Sequence, residues 1–136
     1  MSRSWPRLLT RVTAAVLAVQ VLLQPVLAGG FLSGHYDLLR FHMVNGFTMV
    51  VVSLVQTIAA IFLYRGGASK EVLVHGFAVP LAIAATAVLG EFRILALHVP
   101  IGVLMAVGIL RLAGEAWQKE PQKQEQDERQ KQEVPA

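Results

Sequence analysis

Cysteine is absent from this 136-residue chain, which removes disulfides, thiolate metal sites and thiol redox centres from consideration. Any metal must be held by histidine, methionine or carboxylate. Charge is scarce as well. Only 15% of the residues are Asp, Glu, Lys or Arg, against 54% hydrophobic, a balance that cannot cover the surface of a water-soluble domain. Between Val12 and Ile109 the residues ionised at neutral pH are Asp37, Arg40, Arg65, Lys70, Glu71, Glu91 and Arg93, all in or beside short breaks between long apolar runs. The net charge of +3 comes from scattered Lys and Arg, not from a basic stripe interleaved with aromatics. Nucleic acid is therefore not an expected partner.

What is present is apolar length. A helical span needs about 20 predominantly apolar residues, because every backbone polar group must be paired internally within the bilayer. Four segments qualify, at about 8–28, 39–64, 72–89 and 94–112. The breaks GGFLSGHYD, RGGASK and GEFR are short enough to force antiparallel neighbours. The expected fold is all-α: a four-transmembrane-helix up-down bundle over residues 1–114, with the lipid bilayer as its solvent. Residues 115–136, EAWQKEPQKQEQDERQKQEVPA, are too polar to bury a core and read as a disordered cytoplasmic tail. Trp117 is placed to anchor the interface where the fourth span ends.

Positive residues are retained on the cytoplasmic side of a membrane. Arg3, Arg7 and Arg11 precede the first span, Arg65 and Lys70 lie in the second break, and Arg111, Lys119, Lys123, Arg129 and Lys131 follow the fourth. The opposite face has only Arg40 and Arg93. A multi-pass protein of the cytoplasmic membrane with both termini inside is expected. A rival reading treats residues 1–28 as a cleavable signal peptide, with a basic start, an apolar centre and the small-residue ending Val26-Leu27-Ala28. Gln20, Gln24 and Pro25 are unusual in such a segment, and its apolar length reaches that of a full span.

Ionisable residues inside spans are costly and therefore suggest function. His42 lies about one turn below the outer end of the second span and His98 about one turn below that of the fourth. Each is followed four residues later by glycine, in HMVNG (His42 to Gly46) and HVPIG (His98 to Gly102), and residues four apart share a helix face. Both imidazole faces therefore lack a side chain one turn deeper. Two neutral imidazoles approaching one iron from opposite sides, each about 2 Å from it, would form a bis-histidine haem site. Small residues beside the ligands would admit the macrocycle edge. Arg40 and Arg93, the only outer-face cations, are of the type that binds carboxylates such as propionates in a bidentate manner.

On these residues the chain resembles small four-helix membrane haem bundles with axial histidines on helices two and four. Each half of haem A synthase has this layout, two-histidine b-type cytochromes use the same principle, and the likeness extends to small bacterial membrane proteins combining a Gln-and-Ala-Gly first helix with paired His-x-x-x-Gly helices. It covers about Gln20 to Gly114. The resemblance implies haem b held by His42 and His98, for electron transfer or redox sensing near the outer leaflet, with a quinone or a redox partner protein completing the circuit. It does not imply synthase chemistry, because the first span lacks the carboxylate that synthase-like proteins carry. No intrinsic catalytic activity is expected.

The bland reading competes at each position. A histidine near a helix end can sit at headgroup level, and glycine is common at membrane helix contacts. A cofactor-free accessory subunit or small carrier is the alternative function, and a carrier of this size would need a homo-oligomer. His35, seven residues before His42, reads as a loop residue or an alternative ligand, and His75 as interfacial or packing. Gln20, Gln24, Asn45 and Gln56 read as cross-helix hydrogen bonders contributing on the order of 1 kcal/mol each, and Met43 and Met49 as core filler. Pro25, Pro80 and Pro100 should bend their helices, with Pro100 close enough to His98 to aim its ring.

Overall fold

A computed structural model describes residues 4–117 of the chain. They form four helices and, among the described residues, no strand: α1 (Ser4–Leu32), α2 (Leu38–Arg65), α3 (Lys70–Glu91) and α4 (Leu95–Trp117). Every helix is long and apolar enough to cross a membrane, and each extends one or more residues past most of its expected limits. The largest difference is at the end of α4, where Glu115, Ala116 and Trp117 continue the helix. An Arg111–Glu115 pair four residues apart, at 3.0 Å, supports that last turn. The rest of the expected tail, residues 118–136, lies outside the described residues, as do residues 1–3.

Each helix packs on its neighbours in chain order, and α1 closes the ring against α4. The backbones of α1 and α3, and those of α2 and α4, lie diagonally across the bundle without contact. Leu17, Val21, Met49, Ile83 and Ile109 form the central core, one or two residues from each helix. Met49 is fully buried, as expected of core filler, whereas Met43 is exposed because its position faces away from the other helices. Large apolar side chains such as Leu22, Phe47, Leu81 and Leu104 cover the outer surface, an arrangement that water disfavours and lipid accepts.

The seams are polar and small, as suits helices that gain no hydrophobic energy by associating in lipid. Asn45 donates from Nδ2 to the Gln20 carbonyl at 2.9 Å, and Gln20 Nε2 donates to Thr48 Oγ1 at 2.9 Å, joining α1 to α2. At the α2–α3 crossing a Cβ on Gly76 would lie 2.7 Å from the Ala60 Cβ. Pro80 has no N–H to offer the Gly76 carbonyl four residues earlier. The buried Thr57 hydroxyl donates to that carbonyl at 2.5 Å.

Packing is uneven along the bundle. Among the described residues, the buried positions closest to the end bearing the α1–α2 and α3–α4 links are Val21 on α1, Asn45 on α2, Thr86 on α3 and Ile109 on α4. The end bearing the chain termini is filled. The opposite third holds both histidines of interest and has no buried side chain.

Candidate functional site

His42 is placed by the first turns of α2 and His98 by the first turn of α4. The up-down topology brings both to the same end, and the ring of helices sets them on diagonal partners. Their imidazoles meet across the interior with ring centres 6.3 Å apart and planes at 58°. Two metal–imidazole bonds of about 2 Å each, extended to the ring centres, span roughly 6 Å in a straight line. The separation therefore suits one metal atom between the rings.

Each ring is tied by Nδ1 to the backbone of the preceding helix. His98 Nδ1 lies 2.8 Å from the Thr86 carbonyl on α3, and His42 Nδ1 lies 3.2 Å from the Gln24 carbonyl on α1. A carbonyl only accepts, so each bond places the proton on Nδ1 and leaves a lone pair on Nε2. That is the tautomer a metal-binding histidine requires, fixed by the kind of outer partner such ligands use. Both histidines are half-buried.

Gln24 holds a second relation to His42. With its amide nitrogen turned toward α2, that nitrogen lies 3.2 Å from the His42 carbonyl and 2.9 Å from His42 Nδ1, while its oxygen lies 3.2 Å from the Gly46 amide. A donating amide needs Nδ1 bare, whereas the Gln24 carbonyl needs Nδ1–H. The two contacts thus favour opposite tautomers, and only the carbonyl contact leaves Nε2 free for a metal. His98 has no such competitor among the described residues.

The expected glycines face their own hairpin partners. A Cβ on Gly46 would lie 3.0 Å from the end of the Gln24 side-chain amide, and one on Gly102 would lie 3.9 Å from the Thr86 methyl. They allow α1–α2 and α3–α4 to close at the level of the histidines. A third glycine has a more direct part: a Cβ on Gly90 would lie 2.9 Å from His98 Cε1 and 3.0 Å from its Nδ1. Gly90 stands in the GEFR segment, where a glycine reads as a turn residue, so nothing in the sequence tied it to His98. The Gln24 and Thr86 carbonyls are likewise invisible in a sequence, because any residue supplies a carbonyl.

Arg40 and Arg93 are exposed at the same end and form no ion pair among the described residues. Arg93 has a left-handed backbone, φ 55°, in the turn closed by the Ile94 amide on the Leu89 carbonyl at 2.9 Å. His35 is exposed in the α1–α2 link and His75 is exposed near the start of α3. Neither hydrogen-bonds or stacks with His42 or His98.

No group of three or more His, Asp or Glu side chains converges among the described residues. A closed zinc cage, which needs four protein ligands, is therefore not built here. Two opposed imidazoles suit a metal whose other ligands arrive with it, as in a planar macrocycle.

The chain matches no protein-family model, no curated protein and no solved structure.

Proposed function

We propose that the chain is an integral membrane haem b-binding protein, in which His42 and His98 would hold the haem iron, that transfers electrons or senses redox state. The observation supporting this most is the facing of two diagonal imidazoles 6.3 Å apart, each held through Nδ1 by a backbone carbonyl. Haem supplies reversible one-electron chemistry when bound. Held by both His42 and His98, the group would supply electron transfer rather than ligand activation. Gly90 makes room for the His98 ring, and the Thr86 and Gln24 carbonyls orient the two ligands. Arg40 and Arg93, at the rim of the same end, are suited to propionates.

The Lys and Arg distribution supports a location in the cytoplasmic membrane with both termini inside, which puts the histidine pair near the outer leaflet. A quinone or a redox protein would then exchange electrons from that side.

The test is a reduced-minus-oxidised absorption spectrum of the full-length protein, purified in detergent after haem-replete expression. Soret and alpha-band changes are expected, and they should be lost in both His42→Ala and His98→Ala but kept in His75→Ala. A featureless spectrum from folded wild-type protein would instead favour a cofactor-free accessory subunit. In that reading the Nδ1 bonds of the two histidines serve only to join helices.

A further inference from the structure

A second site lies at the opposite end of the bundle, and it does not depend on the haem reading. A recess beside the start of α1 is lined by Ser4, Arg7, Leu8 and Arg11. Arg7 and Arg11 are four residues apart and so share one helix face. We propose that this recess binds the phosphate of an anionic phospholipid, gripped by the guanidinium groups of Arg7 and Arg11.

Three observations support the assignment. First, Arg11 is held in place: its Nε donates to the Ala116 carbonyl at 2.9 Å, and its guanidinium lies 5.9 Å from the centre of the Trp117 ring. The α4 terminus thus fixes the side chain while its two terminal nitrogens have no protein partner among the described residues. A pre-ordered guanidinium loses little freedom on binding an oxyanion. Second, the site is uncompensated among the described residues. The first turn of α1 has no acidic residue, and the only ion pair among the described residues uses Glu115 for Arg111, leaving both recess arginines without a carboxylate. Helix-start amides add to the positive field. Third, the depth fits. At 29 residues, α1 is about 43 Å long, longer than the roughly 30 Å hydrocarbon core. The excess of about 13 Å, shared between the two ends, puts roughly the first turn at headgroup level, where Leu8 offers an apolar wall beside the phosphate and to which the Arg11 side chain can snorkel. A basic, open recess on one helix face at this depth suits an anionic headgroup, whereas a free phosphate would gain nothing from Leu8.

Native mass spectrometry of the full-length protein in detergent tests the assignment, with phosphatidylglycerol or phosphatidylcholine added. We expect phosphatidylglycerol to bind in preference, and the double variant Arg7→Gln/Arg11→Gln to weaken it by about tenfold. The control Arg65→Gln/Lys70→Gln, at the same end, should leave binding intact. Equal binding of the two lipids, or equal weakening in both variants, would overturn the proposal in favour of diffuse attraction. Displacement of phosphatidylglycerol by millimolar inorganic phosphate would overturn the lipid assignment and leave a free-phosphate site. If the Gln variant does not fold, thermal melting of the wild type decides the matter. Phosphatidylglycerol should raise the melting temperature above its value in phosphatidylcholine, and Arg7→Lys/Arg11→Lys should lose most of that gain. No such gain in the wild type would refute the site.

Discussion

The position of one proton decides what His42 and His98 can do. Nδ1–H on a carbonyl leaves Nε2 available, and the opposite tautomer removes it from service. Gly90 acts at this scale because the 2.9 Å approach of an added Cβ to His98 is closer than carbon atoms tolerate. Gly90→Ala should displace the His98 ring while costing the fold no more than about 1–3 kcal/mol. If haem binds, the change should show as weakened haem retention or a shifted alpha band, with far-ultraviolet circular dichroism unchanged. At Arg93, φ 55° costs a non-glycine residue roughly 1 kcal/mol. Arg93→Gly should therefore leave the melting temperature unchanged or raised, yet reduce haem affinity if this guanidinium serves a propionate. A fall in stability with no change in haem would show that Arg93 only supports the turn.

At the scale of helices, association depends on close approach and on hydrogen bonds that lipid cannot replace. The α2–α3 crossing has both, through Gly76 against Ala60 and Thr57 on the carbonyl left free by Pro80. Thr57→Val keeps the shape and removes the donor, so it should destabilise the protein by about 1 kcal/mol, measured by denaturation in mixed micelles. Gly76→Leu should do far more, since bulk at a backbone contact must separate the helices. The α1–α2 seam is tied by Asn45 and Gln20, so the amides expected to join helices do so there. Gln24 differs, spending its polarity on His42 and Gly46. Gln56 also differs, because its side chain makes no cross-helix bond among the described residues, and its Oε1, like that of Gln20, is buried without a partner there.

For the whole molecule, four spans put the α1–α2 link and the α2–α3 link on opposite sides of the membrane. The natural absence of cysteine makes this simple to check. Ser33→Cys lies in the first link and Ser69→Cys in the second, and both positions are exposed. A membrane-impermeant maleimide should label the first in intact cells and the second only after permeabilisation. The reverse pattern would invert the proposed orientation and move the histidine pair to the inner leaflet. The packed core separates the two proposed sites: the histidine pair lies beyond Val21, Asn45, Thr86 and Ile109, the last buried positions on that side, and the basic recess lies where both termini meet.

Much of this was legible in one dimension, because the bilayer imposes a strong rule: a backbone in hydrocarbon must satisfy its own hydrogen bonds. Apolar length, short links and the positions of charge therefore determined four spans, their antiparallel order and the matched depth of His42 and His98. What the chain order could not determine was which helices lie diagonally, since depth says nothing about rotation around the bundle. Only the tertiary structure placed α2 opposite α4 and turned the two imidazoles toward each other. It also assigned Gly46 and Gly102 to their own hairpins, Gly90 to the His98 ring, and backbone carbonyls to the Nδ1 atoms. These are short-range steric and hydrogen-bonding choices between residues distant in sequence, and they exist only once the helices are packed.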